Sequence, residues 1–440
     1  MIKTLTSAFK NKDIRKKLLY TLMMLVVIRI GSLLPIPGVD TEYFSTLLSG
    51  FNSGDLSYLS AFTGGSFEKM SLFALSITPY ITSSIIMQLL TIAIPKLEEM
   101  QKEGEDGRKK IASITRYVTI ALALIESIAM AVGFGRQGLI KDYKDMSTIH
   151  YVTCIIVVVA ALTAGSAVLM WIGERITEKG VGNGISIVLL INIISGMPSD
   201  FVTLYSTFVA NKSIARGVTV AVIIAAIVIA VVVLVVILQD GERRIPVQYS
   251  QKVAGRKTIG GQATNIPLKV NTAGVMPIIF ASSIMQFPVI IVQLFTSNSY
   301  EWTKYLSQSY WCRVQMPKYS IGLLLYIILV VGFAYFYTSI TFNPVQIADN
   351  LKKAGGVVPG ITPGRSTSEY LNKILNYIVF IGAVGLMIVA LIPIMCTGFF
   401  NASVSFGGTS IIIIVGVVLE TMKQIESMMV NRNYRGFLSE

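Results

Sequence analysis

Few side chains in this sequence could perform chemistry. His150 is the sole histidine, which excludes an HExxH zinc site. The three cysteines, Cys154, Cys312 and Cys396, are spaced for neither a disulfide framework nor a metal site. The run KGVGNGI at 179–185 resembles a glycine-rich nucleotide loop, but it lacks the preceding strand and the rest of the pattern, and GxxxxGK[ST] is absent. We therefore predict a protein that is not an enzyme and has no metal and no cofactor.

Two charged residues stand out by their position. Apart from tyrosines and cysteines, Glu126 and Arg29 are the ionisable residues that lie well inside apolar stretches. A charge at membrane depth is costly and usually marks a functional position. For Arg29 we favour a structural anchor that pairs with a backbone carbonyl or a carboxylate.

The composition is that of a membrane protein. Of 440 residues, 53% are hydrophobic and only 14% are charged, which excludes an ordinary soluble domain. The basic N-terminus lacks a signal-peptide cleavage site, so we expect the first apolar stretch to be retained. The apolar stretches that predict membrane spans, which take about 20 residues each, are 18–36, 71–94, 117–135, 151–172, 183–196, 218–238, 270–295, 321–342, 375–394 and 409–423.

The basic residues predict the orientation. With the N-terminus inside, Lys and Arg are roughly three times as numerous in the inside loops as in the outside loops, as the positive-inside rule requires. Both termini would then be cytoplasmic. The inside loops 239–269 and 343–374 are long and basic. They could dock a large acidic or RNA-containing partner, or their charge could serve topology alone; their length favours docking.

A weak internal repeat divides the chain. The sequence PYITSSIIMQ from Pro79 matches PIIFASSIMQ from Pro277 in part, and each belongs to the second span of a set of five. An odd number of spans would give halves of inverted topology, 1–205 and 206–440, with the functional site between them. Coincidence between two apolar helices is the alternative reading.

The second span is unusually polar. Pro79 should remove the hydrogen bond to the carbonyl of Leu75 and kink this span. The short segment 58–68 ahead of it, broken by Gly64 and Gly65, predicts a re-entrant element that leads into a pore wall.

Two features of the second and seventh spans have a functional and a structural reading. Ile77 and Ile81 share a helix face and could close a pore by excluding water, but their spacing alone favours ordinary helix packing. Polar residues of the seventh span, Asn271, Ser282, Ser283 and Gln286, could form with those of the second an interface that opens, or static contacts between helices.

Sequence blocks typical of a known family run nearly end to end along the chain: RIGSLLPIPGVD (29–40), FTGGSFEKMSLFALSITPYITSSIIMQLL (62–90), EGEDGRKKI (103–111), GERITEKGVGNGISI (173–187), PLKVNTAGVMPIIFASSI (267–284), FNPVQIADNLKK (342–353), VPGITPG (358–364) and FGGTS (406–410). In these blocks the chain resembles the SecY family of protein-conducting channels. The resemblance implies an all-α polytopic membrane protein, with ten transmembrane helices in two inverted, pseudo-symmetric halves around a central pore.

The resemblance also implies site residues. It maps a hydrophobic pore ring onto Ile77, Ile81, Leu189, Ile279 and Ile413. It maps a plug onto about 58–70, including Phe62, Thr63, Gly64, Gly65, Ser66 and Phe67. It maps a lateral gate onto Thr82, Gln88, Glu126, Asn271, Ser283 and Phe287. Motor or ribosome docking falls on Arg243, Arg244, Arg256, Lys257, Lys352, Lys353 and Arg365.

A passive channel follows from the resemblance. It would translocate unfolded polypeptides that carry signal sequences across the bacterial cytoplasmic membrane and release transmembrane segments sideways into the lipid. The implied partners are SecE and SecG, the SecA ATPase, the ribosome with its RNA, signal peptides, nascent chains and membrane lipids.

Three positions depart from the family pattern. Leu189 replaces the usual isoleucine, Glu126 replaces an uncharged polar residue, and Thr362 stands where PGIRPG has arginine. Arg365 could substitute for that arginine, or coupling to the motor could differ.

Three other functions fit the sequence less well. A secondary transporter would need more ion-coupling groups at the midplane than Glu126 and Arg29 supply. An intramembrane enzyme needs a nucleophile with a base, or a metal, at depth. A structural scaffold would not explain the polar, broken second and seventh spans.

Overall fold

Helices account for most of the fold. The computed structural model describes residues 9–50, 63–135, 139–140, 147–208, 214–249, 252–254, 257–259, 264–295, 300–312, 316–400 and 408–436. The helices are α1 Lys12–Leu33, α2 Thr41–Gly50, α3 Thr78–Ala93, α4 Pro95–Lys102, α5 Glu105–Phe134, α6 Thr148–Lys179, α7 Gly184–Phe208, α8 Ile214–Asp240, α9 Met276–Phe295, α10 Thr303–Leu306, α11 Ile321–Thr341, α12 Pro344–Lys353, α13 Arg365–Phe400 and α14 Gly408–Gly436.

Every predicted apolar stretch overlaps one of these helices. In the described part of the chain, 5 helices are long and apolar enough to cross a membrane, or 6 if α3 and α4, bent by 105°, form one broken span. The apolar parts of α7 and α9 are shorter. The prediction of a mostly helical membrane protein is confirmed. The boundary placed at 205/206 falls in the last turn of α7.

The second span begins later than predicted. Residues 64–77 form turns and an isolated bridge, and α3 starts at Thr78 with Pro79 in its first turn. A proline there costs no intrahelical hydrogen bond, because the first N–H groups of a helix have no partner within it. The kink expected at Pro79 is therefore wrong; the sharp bend lies at Pro95 instead. The seventh span likewise starts at Met276, which places Pro277 at the equivalent second position.

A small β structure interrupts the helices, which the all-α prediction missed. Strand β1 Glu242–Tyr249 pairs antiparallel with β4 Thr264–Lys269 on one side and with β5 Gly356–Val357 on the other. Strands β2 Lys252–Ala254 and β3 Lys257–Ile259 form a separate hairpin. The alternating burial of β1 turns Ile245 and Val247 onto an apolar cluster with Leu268 and Leu371. The two long basic loops thus form one folded unit.

The two predicted halves meet through several helices. On the N-terminal side, α7 packs against α14 and α8, and α5 contacts α9. Direct contact between α3 and α9 is slight at most. Within the halves, α5 packs against α6 and α3, and α11 packs against α9 and α13. The contact region between the halves surrounds one apolar cluster, which is the candidate site.

Candidate functional site

The predicted ring residues come together in one apolar cluster. Ile77, Leu189, Ile279 and Ile413 are all buried in it, at 1%, 6%, 5% and 1% exposure, and the half-buried Ile81 packs against it. These side chains come from the start of α3 and from α7, α9 and α14, so both halves contribute. Phe73, Ile187, Phe280 and Val417 extend the cluster. A patch of branched aliphatic side chains without charge is suited to excluding water and ions.

Ile77 and Ile81 share a face as the sequence predicts, although Ile77 precedes the helix. Ile77 is the N-cap of α3, and its carbonyl accepts a hydrogen bond from the Ile81 N–H at 3.1 Å. The preceding residue, Ser76, has φ of +53°, a left-handed conformation that non-glycine residues seldom adopt. Its hydroxyl accepts a hydrogen bond of 2.9 Å from Nδ2 of Asn192 on α7. Sequence reasoning missed this buried contact.

The described plug residues begin with a glycine turn. Gly64 and Gly65 have φ of +63° and +79°, which glycine adopts without steric cost. Thr63, Ser66 and Phe67 are buried. Phe62 and residues 58–61 lie outside the described residues.

Phe67 anchors this segment in an aromatic cluster. Its ring lies edge-on to Phe44 of α2 and Phe134 of α5, with centroid distances of 5.8 and 6.3 Å. Phe44 and Phe134 are 5.1 Å apart. Such edge-to-face pairs contribute about 0.5–1.5 kcal/mol each beyond the burial of area. Phe67 is therefore held apart from the central cluster, among side chains of the N-terminal half.

The chain between Gly64 and Ile77 is bound to three helices. Its backbone bonds to the residues after α1, with Leu72 N–H to Leu34 O at 2.9 Å and Ile36 N–H to Met70 O at 3.1 Å. A Cβ on Gly165 of α6 would lie 1.8 Å from the carbonyl oxygen of Leu72, so only glycine allows this approach. Contacts with α1, α6 and α7 fix the segment beside the central cluster.

Arg29 bonds to α7 rather than to the partners expected for it. Its Nη1 donates a hydrogen bond of 2.8 Å to Oγ of Ser195. The Ser195 hydroxyl lies 3.3 Å from the carbonyl oxygen of Gly64 and 2.7 Å from that of Asn192. The predicted role as a structural anchor fits this contact, but the bonded group is a hydroxyl, not a carbonyl or a carboxylate. Sequence reasoning did not single out Ser195.

The gate residues predicted on α3 and α5 are half-buried. Thr82 donates to the carbonyl oxygen of Thr78 at 3.1 Å, within its own helix. Glu126 on α5 is half-buried. The neighbouring Ser83 donates to the carbonyl oxygen of Thr115 at 2.8 Å, which fixes α3 to α5.

The gate residues predicted on the seventh span fall into two groups. Ser283 and Phe287 lie four residues apart on one face of α9, and Phe287 is 58% exposed. Asn271 lies in the turn before α9, where a Cβ on Gly382 of α13 would come within 2.3 Å of the Val270 carbonyl oxygen. The prediction that Asn271 belongs to the helix of the seventh span is wrong, because this helix begins only at Met276. Within the described residues, Nδ2 of Asn271 and Oε1 of Gln88 are buried without a hydrogen-bond partner.

The predicted docking residues are distributed over the sheet and the helices beside it. Arg243 and Arg244 are exposed on β1, and Arg244 pairs with Glu242 at 2.6 Å. Lys352 and Lys353 are exposed in the last turn of α12. Lys257 belongs to β3, and Arg256 lies outside the described residues. The pairing of β1 with β5, which follows α12, brings the basic positions of β1 and α12 into one unit, the basic platform, defined as 242–249, 264–269 and 344–374.

The departure at Thr362 leaves an exposed position without a cation. The carbonyl oxygen of Thr362 accepts a hydrogen bond of 2.9 Å from the Thr367 hydroxyl at the start of α13. Arg365 pairs with Glu369 at 3.0 Å, and the two side chains are 92% and 67% exposed. An ion pair so exposed is worth at most about 1 kcal/mol, so Arg365 can leave Glu369 at little cost.

Comparison with known proteins gives one consistent result. The SecY family profile matches residues 71–422. The chain is 41% identical over 447 residues to the protein translocase subunit SecY of Halalkalibacterium halodurans, with 100% of both chains covered. A SecY structure reported for the role of its plug domain in the closed state superposes with a TM-score of 0.61 at 17% identity, over 94% of this chain and 92% of that one. Sec61 of a canine ribosome–channel complex gives 0.58 at 18% identity, over 94% and 93%.

Proposed function

The chain belongs to the SecY family, and we propose that its central apolar cluster is the constriction through which polypeptides pass. It is a multi-pass membrane protein, the protein-conducting channel of the Sec translocase, and not an enzyme. One observation carries the proposal for the site: Ile77, Leu189, Ile279 and Ile413 come from helices of both halves and are buried in the same cluster. This juxtaposition is what a ring that closes a pore between two halves requires.

An apolar ring of this kind closes by dewetting. A narrow space lined by aliphatic side chains offers no hydrogen bonds to water or to hydrated ions. The resting pore therefore conducts ions poorly even without a charged barrier. The ring side chains stand on separate helices, so an extended polypeptide can displace them as the helices move apart. In the resting state, the described part of the plug, from Thr63 to Met70, is held by the residues that follow α1 and by Ser195 of α7.

A lateral gate between α3 and α9 is the second part of the proposal. Contact between these helices is slight, whereas each is packed firmly within its own half. Gln88 and Asn271 each bury a polar atom that has no partner among the described residues. A buried polar atom without a partner destabilises the resting state, and it regains hydrogen bonds with water when the gate opens. The free-energy cost of opening is therefore small. The apolar core of a signal peptide can offset this cost by binding the open state more tightly than the closed state.

Transmembrane segments of clients would leave through the same opening. Ser283, Thr82 and Glu126 would line it together with Phe287, which is exposed one turn after Ser283 on α9. An apolar segment that enters there exchanges water for lipid, which is favourable by about 25 cal/mol per Å² of apolar surface.

The basic platform is the proposed docking surface and would face the cytoplasm. The motor SecA or a translating ribosome supplies the energy, and exposed cations such as Arg243, Lys352 and Lys353 attract acidic protein surfaces or RNA. SecE and SecG are the proposed small subunits. The excess of Lys and Arg on the same side as this platform supports a bacterial cytoplasmic membrane location with both termini inside.

Neighbouring isoleucines provide a matched test of the constriction. Ile279 belongs to the central cluster, whereas Ile278 is equally buried but belongs to a cluster inside the C-terminal half. Ile279→Gly should raise the resting ion conductance of the purified channel in planar bilayers. Ile278→Gly carries the same helix penalty of about 1 kcal/mol and a similar cavity, so it serves as the control.

The comparison between the two variants decides the matter. A conductance that rises for Ile279→Gly and not for Ile278→Gly supports the constriction. Equal conductances, whether raised or unchanged, would refute it.

A further inference from the structure

One stripe of α7 carries three different contacts. Leu189, Asn192 and Ser195 follow each other at intervals of three residues and therefore lie along one face of the helix. Leu189 belongs to the central apolar cluster. Asn192 bonds to Ser76, next to Ile77, and Ser195 lies between Arg29 and Gly64. A single helix face thus reaches the ring, the residue that precedes the ring, and the plug.

The contact of Asn192 fixes a strained backbone. Ser76 is 1% exposed and Asn192 is 2% exposed, so neither side chain can replace the bond with water. The positive φ of Ser76 disfavours every residue except glycine, and conformations of this kind persist only where surrounding contacts hold them. Ser76 sets the direction in which the chain enters α3 and therefore where Ile77 points. Asn192 holds Ile77 in the ring through this bond.

The Ser195 hydroxyl has a second hydrogen-bond acceptor besides the carbonyl of the plug. The Ser195 hydroxyl has one proton and faces two carbonyl oxygens, that of Asn192 at 2.7 Å and that of Gly64 at 3.3 Å. Arg29 donates to the same oxygen at 2.8 Å and so fixes it in place while leaving its proton free to turn. When the plug leaves, the hydroxyl keeps its bond to Asn192, and no buried donor is stranded. The plug is therefore held by a contact that can be broken at small cost.

We propose that Asn192 and Ser195 are positioning residues that hold the resting arrangement of the ring and the plug from one face of α7. The proposal rests on the constriction proposed above and adds the residues that keep it closed. Both act through other groups: Asn192 through the backbone of Ser76, and Ser195 through the carbonyl of Gly64. Signal-peptide binding must overcome these two contacts before the channel conducts.

A double-mutant cycle tests the role of Asn192. Asn192→Ala leaves Ser76 strained and unsupported, so the resting ion conductance should rise by about tenfold, the effect of about 1.4 kcal/mol. Glycine adopts a positive φ without strain, so Ser76→Gly should keep the ring in place. In the Ser76→Gly background, Asn192→Ala should then change the conductance by less than about twofold. An equal effect of Asn192→Ala in both backgrounds would overturn the proposal.

A second pair of variants leaves α7 untouched. Ser76→Ala removes the hydroxyl and keeps the strain, so it should leak as Asn192→Ala does, whereas Ser76→Gly should not. This pair keeps the test available if Asn192→Ala fails to insert into the membrane. Equal conductance of Ser76→Ala and Ser76→Gly would contradict the proposed role.

The test of Ser195 uses a control on the same helix. Ser195→Ala should raise the conductance and Ser195→Thr, which retains the hydroxyl, should restore it. Ser199 is exposed one turn further along α7 and donates to the carbonyl of Gly196 at 2.7 Å, so Ser199→Ala measures the effect of losing a serine from α7. If Ile279→Gly leaks while Ser195→Ala and Asn192→Ala do not, the constriction stands and this proposal fails. If Ile279→Gly does not leak, both fail.

Discussion

The two glycines of the plug turn offer a prediction with a worked magnitude. An alanine Cβ at position 64 would lie 2.5 Å from the Ser195 hydroxyl oxygen and 2.6 Å from the carbonyl oxygen of Asn192. The second atom belongs to the backbone of α7 and cannot move aside. At position 65 a Cβ meets nothing within 4 Å. Gly64→Ala and Gly65→Ala therefore differ in the clash while sharing the same kind of backbone strain.

The magnitude follows from the two costs. Both glycines have positive φ, so each alanine substitution destabilises the plug turn by about 1–2 kcal/mol through its left-handed conformation. Overpacking against α7 destabilises the seated plug by a further amount, about 1–3 kcal/mol, in Gly64→Ala alone. This difference should displace the plug about 5- to 150-fold more often in Gly64→Ala than in Gly65→Ala.

Thiol labelling measures the displacement directly. Ser66 is 1% exposed, so Ser66→Cys introduces a thiol that reacts only when the plug moves. In proteoliposomes of a chain whose native cysteines are replaced, a water-soluble maleimide should label this thiol faster in the Gly64→Ala background. Labelling of the unfolded chains, which should be equal, is the control. Equal labelling rates in the folded channels would refute the reasoning, because the clash with α7 would then have no effect on the plug.

Two further predictions concern the gate and the platform. Cross-linking cysteines introduced at Thr82 and Phe287 should block export in a vesicle assay, whereas reduction of the bridge should restore it; normal export with the bridge intact would rule out the gate between α3 and α9. Thr362→Arg should change the rate of SecA-driven export if coupling passes through that exposed position, and Arg365→Gln should change it if Arg365 has taken over that role. Unchanged rates in both variants would place the coupling elsewhere on the platform.

The sequence predicted the helices well because their signal is long and strong. Most of the apolar stretches are long enough to match the thickness of a bilayer, although 183–196 and 409–423 are short for a span. Helix starts were harder to place. Pro79 was interpreted as a kink inside a span, whereas it occupies the first turn of α3, a position that also favours proline. From sequence alone, a proline that follows a turn-forming segment can indicate either a kink within a helix or the first turn of a helix.

The sheet was missed although part of its pattern is visible. In β1 the residues Ile245 and Val247 alternate with exposed neighbours, the period of a half-buried strand. The pairing of this strand with β5 joins residues more than 100 positions apart, and no local pattern encodes such a pairing. The basic loops were therefore interpreted as separate docking segments rather than one platform.

The ring depended on information that spacing does not carry. Ile77 and Ile81 share a helix face, but many isoleucine pairs do. The internal repeat matches Ile279 with Ile81, and only the family resemblance joined Leu189 and Ile413 to them. Asn192 and Ser195 could have been noticed as polar residues in register with Leu189 on α7. Their partners could not, because the positive φ of Ser76 and the position of Gly64 depend on tertiary packing.

Cross-linking to a polypeptide arrested in transit tests the central claim most directly. A photoreactive side chain placed at Ile279 or Ile413 faces the central cluster, whereas one at the adjacent Ile278 or Ile412 faces the interior of the C-terminal half. We expect the arrested client to be captured from 279 and 413 and not from 278 and 412. Capture from 278 and 412 alone, or equal capture from all four positions, would contradict a polypeptide path through this cluster.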